Sequence, residues 1–262
     1  MIGFIGGGNM AEAIIKGIVD RHRENILVSE PRAERQAYLE KTYRAKTTSS
    51  NKDVAQNCDI IIIAVKPQDM DSVLDDISDV ISEDKTVVSI AAGITLSYLL
   101  ARLKTRKIVR VMPNTPALIQ EGMSVMSMSE CIHDKDIGLI RDIFMSIGRL
   151  LVLPERYMDA VTALSGSGPA FFAYFLEAMI EGGIKMGLEK EDAITLAVQT
   201  LLGTARLLDT GMSPSRLREM VTSPGGTTAA GLKVFEERGF KEIVIAAIEA
   251  ATHRAEEIGR KG

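Results

Sequence analysis

The stretch IGFIGGGNMAEAIIKGIV at residues 2–19 decides the fold. An apolar strand pattern at residues 2–5 runs directly into Gly6-Gly7-Gly8-Asn9-Met10-Ala11, and residues 13–19 have the spacing of a helix. In this order the first glycine permits a tight turn, the second admits a pyrophosphate, and the small third residue lets helix and strand pack. Amide groups of the first helical turn then face the phosphates. Such turns also occur for purely steric reasons, but the context here favours a nucleotide cofactor.

Composition excludes several function classes. The 262 residues include 31 basic and 35 acidic side chains, which give a formal net charge of −4 and no long basic run, so a nucleic-acid partner is not expected. An apolar fraction of 46% is enough for one large domain or two ordinary ones. Cys58 and Cys131 have no metal-like spacing, and we therefore expect neither a disulfide framework nor a metal site.

No membrane or export signal is recognisable. The first strand pattern begins at residue 2, which leaves no room for a basic and apolar secretory segment, and no apolar run approaches the length of a membrane span. We expect a cytoplasmic protein without a membrane partner.

The pattern of elements predicts two domains. The first part alternates β-like and helical runs, which indicates an α/β, Rossmann-like, doubly wound and mostly parallel sheet. Strands are predicted at residues 2–5, 26–29, 60–65, 87–90 and 108–112, with further strands near 124–127 and 150–153. After Pro154 only helical patterns follow, at residues 157–164, 169–186, 190–209, 215–221, 229–238 and 241–258. We predict a dinucleotide-binding domain at 1–153 and an all-α dimerisation and substrate-binding domain at 154–262.

Two of the predicted helices are apolar over much of their circumference. Residues 170–176 and 243–248 would expose too much apolar surface on an isolated bundle of this size. A helix buried within one subunit would explain this pattern, but we favour an interface between two copies. A homodimer is therefore expected.

The loop after the second strand should select the nucleotide. An acid near this position binds the ribose diol of NAD, whereas a small polar residue with an arginine accommodates the 2′-phosphate of NADP. Ser29, Arg32 and Arg35 favour NADPH, while Glu30 opposes it and keeps NADH open. The two arginines are equally well explained as solvated residues on the first turns of a surface helix.

Two further loops lie at predicted carboxyl ends of strands, where open parallel sheets bind ligands. Lys66-Pro67 places a cation near the nicotinamide side, although a strand-ending Pro beside Lys is common. In Pro113-Asn114-Thr115-Pro116 two prolines fix a short loop, and the amide and hydroxyl between them could hold a carboxamide or substrate. A rigid structural turn is the alternative.

The helical part contains two segments suited to an anion. Ser165-Gly166-Ser167-Gly168-Pro169-Ala170 opens the most apolar helix, and Ser223-Pro224-Gly225-Gly226-Thr227-Thr228 opens another. A Gly-Gly step followed by two threonines can form a backbone nest with hydroxyl donors. Each segment alone could be an ordinary N-cap, but the two together favour a small carboxylate substrate.

No acid–base constellation is evident. His22, His133 and His253 fall at a polar helix end, in a loop and in the last helix, where we expect structural or solvent-facing roles. A ketone or alcohol dehydrogenase needs a proton donor for its alkoxide, whereas a cyclic iminium needs only a hydride donor and an orienting pocket.

The motifs together closely resemble those of the pyrroline-5-carboxylate reductase family. The resemblance runs in order over nearly the whole chain, and the last two motifs together are highly specific. The segments that carry it are Gly3-Phe4-Ile5-Gly6-Gly7-Gly8-Asn9-Met10-Ala11, Ala64-Val65-Lys66-Pro67, Ala91-Ala92-Gly93, Met112-Pro113-Asn114-Thr115-Pro116, Leu164-Ser165-Gly166-Ser167-Gly168-Pro169-Ala170 and Ser223-Pro224-Gly225-Gly226-Thr227-Thr228.

The resemblance implies hydride transfer from NAD(P)H to the C=N carbon of 1-pyrroline-5-carboxylate, which gives L-proline in the last step of proline biosynthesis. It also implies a homodimer through the helical domain, with a ring of dimers as a larger assembly. By position the cofactor-binding residues would be Gly6, Gly7, Gly8, Asn9, Met10, Ala11, Ser29, Arg32, Asn51, Ala64, Val65, Lys66, Pro67, Ala91, Ala92 and Gly93. The substrate-binding residues would be Ser223, Gly225, Gly226, Thr227, Thr228 and Ser167, with Thr228, Asn114 and Thr115 as the catalytic set.

Two other functions stay open from the sequence. A 3-hydroxyacid or ketopantoate-type dehydrogenase would need a lysine on a helix of the second domain, and Lys185 is the candidate, although Glu181 one helical turn away explains it as a surface pair. A non-catalytic dinucleotide sensor would leave the two anion-ready segments without a role.

Overall fold

A computed structural model describes residues 1–21 and 25–261 of the chain. His22 lies outside these residues. Within them, no helix is long and apolar enough to span a bilayer, and no cluster of His, Cys, Asp or Glu could hold a metal ion.

One eight-stranded sheet forms the centre of the N-terminal part. The strands, labelled β1 to β8 in chain order, are Ile2–Ile5, Ile26–Ser29, Lys46–Thr48, Ile60–Ile63, Thr86–Ser89, Lys107–Met112, Gly122–Met128 and Gly148–Val152. Their order across the sheet is β3-β2-β1-β4-β5-β6-β7-β8, and all neighbours are parallel except β6 and β7. The predicted doubly wound, mostly parallel sheet is confirmed.

Twelve α-helices occur in the described residues. Labelled α1 to α12 in chain order, they are Asn9–Arg21, Ala33–Tyr43, Asn51–Asn57, Met70–Ile77, Leu96–Arg102, Asp134–Met145, Met158–Val161, Gly168–Lys185, Lys190–Asp209, Pro214–Met220, Thr227–Glu237 and Phe240–Lys261. Short 3₁₀ helices precede α4, β7 and α7, at Pro67–Asp69, Thr115–Ile119 and Glu155–Tyr157.

Helices cover both faces of the sheet, and the central strand β4 shows the reason. Its four isoleucines are each no more than 2% exposed, and successive side chains enter opposite cores. Ile60 and Ile62 pack with α1 and α6 residues such as Ile14 and Phe144, while the other two pack with α3 and α4. A strand buried on both faces has to be apolar throughout, as this one is.

The sheet reverses direction beside β1. The chain moves from β1 to β2 and β3 on one side, and then crosses to β4 on the other side. At such a switch point the loops leaving β1 and β4 diverge and leave a crevice at the carboxyl ends of the strands. The glycine-rich turn follows β1 directly and therefore lies at this crevice.

Strand β3 was not predicted. It has only three residues, Lys46–Thr48, and pairs with β2 alone at the edge of the sheet. A short polar segment carries no hydrophobic periodicity, so only its hydrogen bonding to β2 makes it a strand.

The chain after Pro154 is helical, as predicted, but its first segment is divided. Residues 157–164 were predicted as one helix; the structure has the short helix α7 and then a π-helix at Thr162–Gly166. The π-helix is closed by the hydrogen bond from Ser167 N to Thr162 O, at 2.9 Å. The wider turn precedes the proline that opens α8.

The described chain forms two compact units. The first is Met1–Ser167 together with the part of α12 from Glu249 onward, and the second is Gly168–Ile248. The predicted boundary, with domains at 1–153 and 154–262, stays a prediction about domain organisation; the first unit extends beyond it through α7 and the π-helix.

The second unit has a small aromatic cluster and a large exposed apolar surface. Phe175, Phe235 and Phe240 lie with ring centroids 5.0 to 6.3 Å apart. Many other apolar side chains of the helices face outward, including Phe172 at 63% and Tyr174 at 77% exposed. Surfaces of this kind mark interfaces between proteins.

Candidate active site

The glycine-rich turn fits between β1 and β4 because it has no side chains there. Gly6 has a φ of 95°, and a Cβ at this position would lie 2.7 Å from the carbonyl oxygen of Ala64. Its amide donates to Ser29 O at 2.8 Å, which joins the turn to β2. The turn is therefore fixed on both sides, and the amides at the start of α1 face the crevice.

Two side chains from the loop after β2 hold the turn in place. Glu30 Oε2 accepts a hydrogen bond from Gly7 N at 3.1 Å. Arg35 Nε donates to Gly7 O at 2.6 Å and its Nη2 to Gly8 O at 3.3 Å. The N–H of Gly7 is thus bound by a carboxylate, and the C=O of the same residue is bound by a guanidinium.

Glu30 is a buried carboxylate with a cationic partner. Its side chain is 4% exposed, and its oxygens accept from Arg32 N at 3.1 Å and from Arg32 Nε at 2.8 Å. Burial raises the pKa of Glu30, but the hydrogen bonds from Arg32 and Gly7 outweigh that effect and hold the pKa below its ordinary value. Glu30 is therefore ionised at neutral pH.

The Arg35 side chain is largely buried and forms an ion pair with Glu12. Its Nη2 lies 2.5 Å from Glu12 Oε2 of α1, and only 18% of its side chain is exposed. The other oxygen of Glu12 accepts from the hydroxyls of Tyr38 and Tyr43 at 2.8 and 2.9 Å. Burial raises the pKa of Glu12, yet these hydrogen bonds and Arg35 together lower it. Arg35 is thus an internal anchor of the turn, a role that residue spacing could not predict.

The side of the crevice towards β2 carries a second polar pair. Ser29, at the end of β2, donates its hydroxyl to Asn51 Oδ1 at 2.7 Å. Asn51 is the first residue of α3, whose N-cap Ser50 accepts from Asp53 N. Ser29 and Asn51, which the family resemblance assigns to cofactor binding, thus meet at one edge of the crevice.

A cleft of about 390 Å³ lies at the carboxyl ends of β1, β4, β5 and β6. Its wall is formed by residues 8–10 after β1, 64–66 after β4, Ile90 and Ala92 after β5, 112–115 after β6, and Gly166. A volume of this size and a mainly apolar wall with a few polar groups are typical of a site for a small molecule or part of a cofactor. Seven of the sixteen residues predicted to bind the cofactor line this cleft, namely Gly8, Asn9, Met10, Ala64, Val65, Lys66 and Ala92.

Asn114 is at this cleft but its side chain already has protein partners. Its Oδ1 accepts from Met123 N at 2.8 Å, and its Nδ2 donates to Ser165 O at 3.2 Å and Ser165 Oγ at 3.3 Å. Thr115, the next residue, is exposed at the start of a 3₁₀ helix.

The loop before α11 belongs to the second unit and has the form of an anion site. Gly225 has a φ of 71°, and Gly226 N donates to Ser223 O at 3.0 Å. Gly226 is the N-cap of α11 without a side-chain cap, so the amides of the first helical turn have no acceptor within the helix. Thr227 is exposed and Thr228 is half-buried, both in that first turn.

The remaining predicted residues have these positions. Pro67 begins the 3₁₀ helix after β4, and Gly93, with a φ of 77°, lies in the loop after β5. Ser167 follows the π-helix. His133 and His253 are exposed. Lys185, the candidate base of a dehydrogenase, is exposed at the last position of α8.

Comparison with known proteins identifies the family. A family model described as "Pyrroline-5-carboxylate reductase dimerisation" matches residues 155–258, and one described as "NADP oxidoreductase coenzyme F420-dependent" matches residues 1–93. The pyrroline-5-carboxylate reductase of Synechocystis sp. is 39% identical, over 99% of this chain and 98% of its own length. The chain belongs to the pyrroline-5-carboxylate reductase family.

Solved structures of this family have the same fold. A pyrroline-5-carboxylate reductase from Coxiella burnetii is 36% identical with a TM-score of 0.91, and the match covers 98% of this chain and 97% of that one. The pyrroline carboxylate reductase of Plasmodium falciparum, described with NADP bound, is 35% identical with a TM-score of 0.88 and the same coverage. Members of the pyrroline-5-carboxylate reductase family are oxidoreductases, and the resemblance stated from the motifs is confirmed.

The role of Arg35 gives a prediction for cofactor binding. Arg35→Met removes three hydrogen bonds to the turn and Glu12, so we expect the affinity for ADP-ribose to fall about tenfold. Lys41→Met is the control, because Lys41 is an exposed cation in the last turn of the same helix, α2, and has no place in the predicted cofactor site. Calorimetric titration of both variants measures the difference. Equal affinities for the two variants would show that Arg35 does not organise the turn.

Proposed function

We propose that this protein transfers hydride from a reduced nicotinamide dinucleotide to the C=N carbon of 1-pyrroline-5-carboxylate and so forms L-proline, the final step of proline biosynthesis. The observation that carries the proposal is the full-length similarity to reductases of that name in a chain that contains both the dinucleotide turn and the Ser223–Thr228 loop. We also infer a cytoplasmic location, in keeping with two cysteines that are not joined to each other.

The geometry at the glycine turn fits a dinucleotide. A Cβ would collide at Gly6 but would meet nothing within 4 Å at Gly8, which leaves open space in front of the first amides of α1. In the proposal the residues predicted for the cofactor hold it along the crevice: the glycine turn at the pyrophosphate, Ser29 and Asn51 at the adenosine, and the loops after β4 and β5 towards the nicotinamide. When bound, the reduced nicotinamide supplies the hydride.

The residues of the chain supply binding and orientation. The free amides at the start of α11 and the Thr228 hydroxyl bind the substrate carboxylate, with Ser223, Gly225, Gly226 and Thr227 shaping the loop. The resemblance also assigns Ser167, Thr115 and Asn114 to substrate binding and catalysis. As hydride reaches carbon, the C=N electron pair moves to the ring nitrogen, which is already protonated or takes its proton from water. This reaction needs no side-chain acid.

Thr228→Ala should raise the substrate KM and lower kcat, together by about tenfold to a hundredfold in kcat/KM, because a hydrogen bond to a charged group is lost. Thr210→Ala is a matched control, since that hydroxyl donates to Leu207 O at 2.8 Å at the end of α9. Rates of cofactor oxidation with pyrroline-5-carboxylate and with a panel of 2-keto and 3-hydroxy acids measure both the reaction and its specificity.

The panel separates the alternatives. Turnover of keto or hydroxy acids without pyrroline-5-carboxylate would favour a dehydrogenase. Dinucleotide binding without turnover of any of these compounds would favour a sensor. Unchanged kinetics of the Thr228→Ala variant would remove Thr228 from the site.

We further infer that the protein works as a homodimer in which the Ser223–Thr228 loop of one copy serves the cofactor cleft of the other. The exposed apolar side chains of the second unit and the match to a dimerisation model support the interface. A ring of such dimers stays a prediction from the resemblance. In a two-fold dimer each copy would contribute to two equivalent sites.

Mixing two impaired variants, Gly8→Asp and Thr228→Ala, tests the shared site. Gly8→Asp places a carboxylate where the pyrophosphate would lie, and the open space there lets the chain fold. If cleft and loop come from different copies, co-expression with Thr228→Ala gives mixed dimers with one intact site, and about a quarter of wild-type activity returns. If mixed dimers are shown to form but activity does not return, the cleft and the loop of each site belong to the same copy.

The choice of nucleotide depends on Glu30. The sequence-based prediction was NADPH, but the side-chain arrangement supports NADH. The 2′-phosphate would approach the buried Glu30 carboxylate, Arg32 is already paired with that carboxylate, and Arg35 is bound to the turn and Glu12. A ribose diol can instead donate to an ionised carboxylate.

We expect Glu30→Ser to shift the ratio of kcat/KM for NADPH over NADH upward by about tenfold, since one repulsive charge is removed and Arg32 is released. Glu34→Ser is the matched control, because Glu34 is an exposed carboxylate in the first turn of α2. Initial rates with both nucleotides measure the ratio. If the wild-type protein prefers NADPH and Glu30→Ser does not change that preference, Arg32 would be the residue that binds the 2′-phosphate.

A further inference from the structure

The amide of Asn114 joins three segments at the cleft. Asn114 follows β6, its oxygen binds the amide of Met123 in β7, and its nitrogen binds both the carbonyl and the hydroxyl oxygen of Ser165. The two acceptors on Ser165 match the two N–H groups of a carboxamide. The side chain is therefore committed to the protein and is not the direct ligand that the sequence suggested.

The segment held by Asn114 has an irregular backbone. Ser165 and Gly166 end the π-helix, a form that is rare and concentrates at functional sites. A Cβ at Gly166 would lie 2.6 Å from Cε of Met112 at the end of β6, so the segment is in close contact with that strand. Both Asn114 and Gly166 form part of the cleft wall.

The position in the sheet indicates which half of the cofactor is affected. The pyrophosphate turn follows β1, and the β2 side carries Ser29 and Asn51 for the adenosine. The loops after β4, β5 and β6 lie on the opposite side of the switch point, where the second half of a dinucleotide binds. Asn114 therefore acts at the nicotinamide end.

The hydroxyl of Ser165 still has a hydrogen that it can donate. A serine hydroxyl has one donor hydrogen and two acceptor lone pairs. Because Asn114 Nδ2 donates to Ser165 Oγ, the oxygen is used as an acceptor and its hydrogen remains for another group.

We propose that Asn114 is a positioning residue, which fixes Ser165 and Gly166 against the nicotinamide half of the cleft and leaves the Ser165 hydroxyl to donate to the bound ligand. The inference rests on the dinucleotide cleft of the proposed function. It assigns Asn114 an indirect role through Ser165.

Asn114→Ala should lower the affinity for NADH and reduce kcat by about tenfold to a hundredfold, because small displacements of an orienting wall have effects of that size. The affinity for ADP-ribose, which lacks the nicotinamide, should stay within about twofold of wild type. Calorimetric titration of the whole protein with NADH and with ADP-ribose gives both values without turnover. A general loss of structure would weaken both ligands alike, and that result would overturn the proposal.

Ser165→Ala is a second variant, and its result can be interpreted even if the Asn114→Ala variant does not fold. It should weaken NADH binding in the same direction, and the double variant should be no worse than Asn114→Ala, since the two act through one contact. Additive losses in the double variant, or wild-type NADH affinity after Ser165→Ala, would overturn the proposal.

Ser129→Ala is the control for loss of hydrogen bonds alone. Ser129 Oγ donates to Arg106 O at 2.6 Å and accepts from Ile108 N at 3.1 Å, at the opposite end of the β6–β7 pair. We expect a lower melting temperature with unchanged affinity for both ligands. A wild type that binds NADH but does not reduce pyrroline-5-carboxylate would refute the proposed function, and the two binding affinities would still test Asn114.

Discussion

The backbone leaving β1 at Gly6 passes so close to the carbonyl of Ala64 that a methyl group could not be placed between them. This close approach sets the geometry of the whole N-terminal part. It lets β1 and β4 pair as neighbours while the chain turns into α1, and it directs the first amides of that helix to the crevice at the switch point. The cleft walls after β4, β5 and β6 take their positions from the same sheet.

Opposite charges then fix the turn from outside. Glu30 binds the N–H of Gly7, and Arg35 binds the C=O of Gly7 while also pairing with Glu12. Buried charges are stable only when they are paired and hydrogen-bonded, and here both conditions are met by groups that also define the nucleotide site. In the proposed function, the rigidity of the turn and the choice between a diol and a phosphate therefore depend on the same side chains.

The second unit differs from the first in how its apolar side chains are buried. Its helices bury a few aromatic contacts and expose many apolar side chains, which an isolated chain would not tolerate well in water. The loop before α11 is held by its own short backbone hydrogen bond and leaves helix amides free. In the proposed function, an apolar interface and an anion-binding loop lie in the same unit, so association of copies and substrate binding are parts of one arrangement.

Local sequence was enough for most of the strands, the glycine turn and the helical second half, because each of these follows from residue spacing and from the special backbone freedom of glycine and proline. Even β4 could be recognised, since burial on both faces demands a continuous apolar run, which here is four consecutive isoleucines. The short strand β3 and the π-helix were missed because neither has a periodic pattern of its own. The functions of Glu30, Arg35 and Asn114 were decided only in three dimensions: each binds a segment remote in sequence, at Gly7, Glu12 or Ser165, and no spacing along the chain encodes which distant backbone group a side chain will reach.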